Sequence, residues 1–164
     1  MNEIFIKMKL RGIISLLTLF FAFFIILVSC SHYDIEKARK NISKNADTES
    51  HNNGLNCMNC HKTGGKGYGW FTIAGSIFKG NNVTPNGNGK IYLYSDPNGQ
   101  GTLKYTLDVD GLGNFFTTES ANFEGGLYPV HENSQGVKKY MQTPIISGQC
   151  QSCHNVTTPA IWND

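Results

Sequence analysis

From Trp70 to Met141 the chain alternates apolar and polar positions in short runs, separated by clusters of Gly, Asn, Asp and Pro. Successive side chains of a strand point to opposite sides, so Trp70 to Phe78 (WFTIAGSIF) places Phe71, Ile73 and Ile77 on one face. The turn cluster Pro85-Asn86-Gly87-Asn88-Gly89 precedes a second strand, Ile91 to Ser95 (IYLYS). Asp96-Pro97-Asn98-Gly99 turns the chain into Thr102 to Val109, where Leu103, Tyr105, Leu107 and Val109 alternate with polar neighbours. Asp110-Gly111-Leu112-Gly113-Asn114 turns it again into Phe115 to Thr118. Leu127 to His131 and Val137 to Met141 predict a hairpin across Glu132 to Gly136. Short strands at regular spacing predict a mainly β chain, an antiparallel β-sandwich over residues 70–141.

Outside this region the pattern changes. Lys7, Lys9 and Arg11 precede an apolar run from Ile13 to Val28, the n-region and h-region of a secretory signal. It ends Leu27-Val28-Ser29-Cys30, which resembles the lipobox of bacterial lipoproteins, so residues 1–29 are expected as a signal peptide and Cys30 as the lipidation site. The competing reading is an uncleaved anchor, because the run approaches the lower length for spanning a bilayer. Residues 30–54 are polar and mixed in charge, and are expected to tether a domain at 55–164. Without residues 1–29 the chain carries eleven basic and eleven acidic side chains, so the formal +2 belongs to the leader and gives no reason to expect nucleic acid as a partner.

The chemistry lies on both flanks of the sandwich. Cys57-Met58-Asn59-Cys60-His61 recurs in form as Cys150-Gln151-Ser152-Cys153-His154, and every cysteine beyond Cys30 belongs to one of these two units. CxxCH is the attachment signature of c-type haem: two thiols three positions apart reach the two vinyl groups of one porphyrin, and the adjacent histidine faces the iron. Zinc ribbons usually separate their CxxC pairs by roughly 15–20 residues and need no trailing histidine. Here about ninety residues intervene. Disulfides or a dithiol redox pair leave the histidines equally unexplained. The expectation is two c-type haems, held by thioethers from Cys57, Cys60, Cys150 and Cys153, with His61 and His154 as proximal iron ligands. Covalent haem attachment outside the cytoplasm agrees with an exported chain at the cell envelope, on the outer membrane, the periplasmic face or the cell surface.

The flanking motifs resemble those of multihaem c-type cytochromes. Between them, Ile73-Ala74-Gly75-Ser76-Ile77, Ile91-Tyr92-Leu93-Tyr94 and the D-x-x-G-x-F form of Asp110 to Phe115 resemble transthyretin-like and carboxypeptidase-regulatory-like sandwiches. This second resemblance implies an Ig-like or transthyretin-like scaffold without catalytic residues, with haem-binding loops or short helices at both of its ends.

The opposite axial position has several candidates: His131, His51 and Met141, with Met58 and His32 behind them. A methionine there raises the reduction potential relative to a second histidine. Tyr68, Trp70, Phe71, Tyr140 and Trp162 flank the attachment sites and suit either pocket walls or sandwich core. The leading reading is a lipid-anchored dihaem carrier exchanging electrons with redox protein partners, rather than an enzyme. The alternatives are a haem enzyme or gas-binding sensor with an open axial site, a polymer-binding subunit, and a structural lipoprotein stapled by zinc or disulfides. Arg39 is the only arginine after the leader and lies in the expected tether, which counts against a cationic catalytic pocket.

Overall fold

The computed structural model describes residues 40–164, together with Ser15, Leu17, Thr18 and Phe20, which are helical and exposed. The rest of the expected signal peptide, the expected lipidation site Cys30, His32 and Arg39 lie outside the described residues. Among the described residues no helix is long and apolar enough to cross a membrane.

Among the described residues seven strands form two sheets: β1 (Ile73–Ser76), β2 (Lys90–Asp96), β3 (Gln100–Asp108), β4 (Asn114–Thr117), β5 (Tyr128–Glu132), β6 (Lys138–Tyr140) and β7 (Gly148–Gln149). One sheet has the order β4-β1-β7 and the other β3-β2-β5-β6. The chain is thus a mainly β sandwich, as the alternation predicts. Neighbouring strands are antiparallel except β1 and β7, which run parallel.

Alternation fills the core from both sheets. Ile91 stands opposite Leu107 and His131, and Leu93 opposite Tyr105 and Pro129, so these residues share the inner face of the four-stranded sheet. Ile73, Ile77 and Phe115 meet them from the other side, with Val109 and Leu127 completing the buried cluster. The turns follow from their side chains. Asp110 Oδ1 accepts from the amides of Leu112 and Asn114, both at 2.9 Å, and Asn133 Oδ1 does the same for Gln135 and Val137 at 3.0 and 2.9 Å. Gly113 holds a left-handed φ of 81°. A Cβ there would meet the Ile77 carbonyl at 2.8 Å, so the D-x-x-G turn requires its glycine.

Three expectations are corrected. Phe71 does not join Ile73 and Ile77 inside the sandwich: the chain bends at Thr72, and Phe71 stacks on Phe116 with ring centroids 4.7 Å apart. Phe116 neighbours Phe115 in β4 and therefore faces outward. Leu103 is exposed rather than core, because β3 is an edge strand and only its second half, ending at Leu107 and Asp108, covers the other sheet. Finally, the chain from Asn41 to Gly54 is no free tether. Ile42 bridges Thr117, Ser43 is buried with its hydroxyl on the Asp108 carbonyl at 2.6 Å, and Gly54 donates to Ser76 Oγ at 2.9 Å. This segment covers the edge of β4 and at Gly54 reaches Ser76 of β1, a strand whose four residues are all buried.

Candidate functional site

The two CxxCH units fold alike. Cys57–Asn59 and Cys150–Ser152 each form a single 3₁₀ turn. In the first, the amides of Cys60 and His61 both donate to the Cys57 carbonyl at 3.1 and 3.0 Å; in the second, those of Cys153 and His154 donate to the Cys150 carbonyl at 3.4 and 3.1 Å. One turn brings two thiols three residues apart to the same side and sends the histidine out next to them.

Both histidines are then held in the same way. His61 Nδ1 lies 2.8 Å from the Tyr68 carbonyl oxygen, and His154 Nδ1 lies 2.7 Å from that of Pro159. A carbonyl only accepts, so each Nδ1 carries the proton and each Nε2 presents its lone pair. Metal-ligating histidines are usually oriented by this kind of bond to the second nitrogen. Tight packing adds to it at the first site: His61 stacks on Phe71 at 4.1 Å, and a Cβ on Gly67 would come within 2.7 Å of His61 Nδ1. Gly67 lies in a glycine-rich stretch with Gly64, Gly65 and Gly69, and the reason for a glycine at this position is the His61 ring.

The sandwich brings the units together although they flank it in sequence. β7 pairs with β1 just before Cys150, and the Asn56 side-chain amide donates to Gln149 Oε1 at 3.4 Å, so the residues preceding Cys57 and Cys150 touch. Ser76 anchors both loops: its Oγ receives Gly54, and its backbone N–H and C=O bind the side-chain amide of Gln151 at 3.1 and 3.2 Å. The intervening positions of a CxxCH unit carry no signal for such a role, and neither Ser76 nor Gln151 stands out in the sequence.

A cavity of about 430 Å³ opens beside the second unit, within the roughly 300–1,000 Å³ range of cofactor pockets. Cys150, Cys153 and His154 line it on one side, and His131 and Met141 are also in its wall. Most of the remaining lining is apolar, including Ile73, Leu93, Phe115 and Ile161. His131 is only 4% exposed, and neither of its ring nitrogens has a hydrogen-bond partner. Burial pushes its imidazole down to about 4, Lys139 pushes in the same direction, and Glu132 opposes them. Each buried ring nitrogen left unpaired costs about 1–3 kcal/mol, and a metal bond at the unprotonated one would remove that nitrogen's share. Around the first unit Leu55, Tyr68 and Trp70 are exposed, and around the second Ile146, Val156 and Trp162, an apolar rim that a porphyrin would cover.

His51 sits by the first unit, its ring centroid 6.1 Å from that of His61, while Met58 is half-buried within the turn. The thiols differ as well. Burial pushes Cys57 up, and Cys150, though half-buried as a residue, has its thiol pushed up to about 12 by burial of that thiol. The four described cysteines are free, and no three His, Cys, Asp or Glu side chains among the described residues converge as a metal-binding group. Comparison with protein-family models, with curated proteins and with solved structures finds no match.

Proposed function

We propose that the chain is a dihaem c-type cytochrome, an electron carrier tied to the cell envelope by a lipid on Cys30. The observation that carries this reading is the shared geometry of the two units, in which a 3₁₀ turn pairs the thiols and a backbone carbonyl fixes the histidine with Nε2 free. Disulfide staples or isolated thiol pairs need no such histidine. The residues fit haem: paired cysteines, an oriented imidazole, apolar walls and, at the second unit, a buried imidazole without partners. Haem iron supplies a one-electron couple whose potential its axial ligands and surroundings tune.

Each thiol S–H would add across one vinyl C=C, sulfur bonding one carbon and hydrogen the other, with no net oxidation. The contact between Asn56 and Gln149 sets the two attachment loops side by side, which favours direct exchange between the haems of one chain. The sandwich acts as the scaffold for that juxtaposition, and redox protein partners would dock beside the two loops.

A reductive titration of the matured protein under carbon monoxide tests the carrier reading. Two haems that reduce and reoxidise reversibly without binding the gas are expected. A ferrous haem that takes up carbon monoxide stoichiometrically would turn the assignment toward a gas-binding or catalytic haem.

A further inference from the structure

We infer that His131 is the sixth ligand of the iron held by the second unit, making that centre a His154/His131 pair; this rests on the dihaem reading above. His154 and His131 come from segments far apart in sequence and line the same cavity, together with both thiols of the unit. His131 stands on β5 opposite Ile91 and therefore points between the sheets. In that apolar interior an unpaired imidazole is out of place: lysine-bearing β6 on one side and β2 on the other give its nitrogens no acceptor or donor. A hydrophobic residue would pack the same position without that cost, so the imidazole needs a partner that the folded chain does not itself provide.

Met141 lines the same cavity and is the rival. It lies just beyond β6, is half-buried, and its thioether carries no comparable cost when left unpaired, so its presence is explained by packing alone.

The test uses the full chain matured in a host that attaches c-haem, in a Cys57→Ala/Cys60→Ala background, so that only the second haem is read. Near-infrared magnetic circular dichroism and electron paramagnetic resonance of the ferric protein should give the signature of two imidazoles and none of a thioether. His131→Leu should convert this haem to high spin, with added imidazole restoring the low-spin form, and Met141→Leu should leave the spectrum unchanged. A methionine signature, or a low-spin spectrum unaltered by His131→Leu, would overturn the assignment. If the leucine variant fails to fold, the spectrum of the unsubstituted centre decides by itself. Absence of attached haem from the unsubstituted full chain is a different result, and would remove the dihaem reading itself.

Discussion

The side-chain amide of Gln151 closes on both backbone groups of Ser76, accepting from its N–H at 3.1 Å and donating to its C=O at 3.2 Å. β7 ends after Gln149, so Ser76 at the end of β1 has no backbone partner on that side, and the glutamine amide continues the ladder by one step. The Ser76 hydroxyl meanwhile receives Gly54 and donates to Asn114 Oδ1 at 2.6 Å. One buried serine thus fixes the position of both CxxCH loops.

Gln151→Ala should therefore leave two buried backbone groups unpaired, at a cost on the order of 2–4 kcal/mol. Thermal unfolding followed by circular dichroism should show a fall of roughly 10 °C. An unchanged transition would mean that the clamp carries no weight.

Gly67→Ala places a methyl group within 2.7 Å of His61 Nδ1 and forces the ring away from the Tyr68 carbonyl. In the matured protein the first haem should lose its low-spin bands while the second keeps them. An intact low-spin spectrum for both haems would show that the Tyr68 bond does not position the ligand.

Stability of the cofactor-free chain should depend on pH through His131. Its ordinary value of 6.5 falls to about 4 in the folded state, so the unfolded chain takes up the proton first. The stabilisation is complete above about pH 6.5 and is lost as pH falls toward 4, to a total of about 3 kcal/mol. Urea unfolding across that range should show the loss, and His131→Leu should reduce its slope by one proton. A slope equal in both proteins would contradict the burial of a neutral imidazole.

The cysteines should alkylate in order before haem is attached. Cys60 and Cys153 are exposed and should react first, Cys57 more slowly, and Cys150 last. Raising a thiol from 9.0 to about 12 cuts its thiolate at neutral pH about a thousandfold. Mass spectrometry of peptides from a timed iodoacetamide reaction resolves the sequence, and early modification of Cys150 would show an open second loop.

Much of this was legible in the chain. Alternation and Gly/Asn turns locate β2, β3, β4 and the β5–β6 hairpin, because one face of each strand meets the core and the other meets solvent. β1 was legible as apolar but not in extent, since it is covered on both faces and a bend at Thr72 re-aims Phe71. The docking of 41–54 was hidden because it rests on backbone and hydroxyl hydrogen bonds, as at Ser43 and Gly54, and these leave no hydrophobic pattern. The cysteines and histidines of the site were evident from spacing. Their juxtaposition was not, for it depends on the parallel pairing of β1 with a strand only two residues long. His131 was visible as a candidate, but its burial emerges only when its partner strands are known.

The most direct measurement is intact mass with a pyridine haemochrome spectrum on protein matured in a host that attaches c-haem, alongside Cys57→Ala/Cys60→Ala and Cys150→Ala/Cys153→Ala variants. Two covalently bound haems with a c-type band, falling to one in each variant, are expected. A chain without porphyrin, its cysteines oxidised or holding zinc, would contradict the assignment and leave a stapled β-sandwich without an electron to carry.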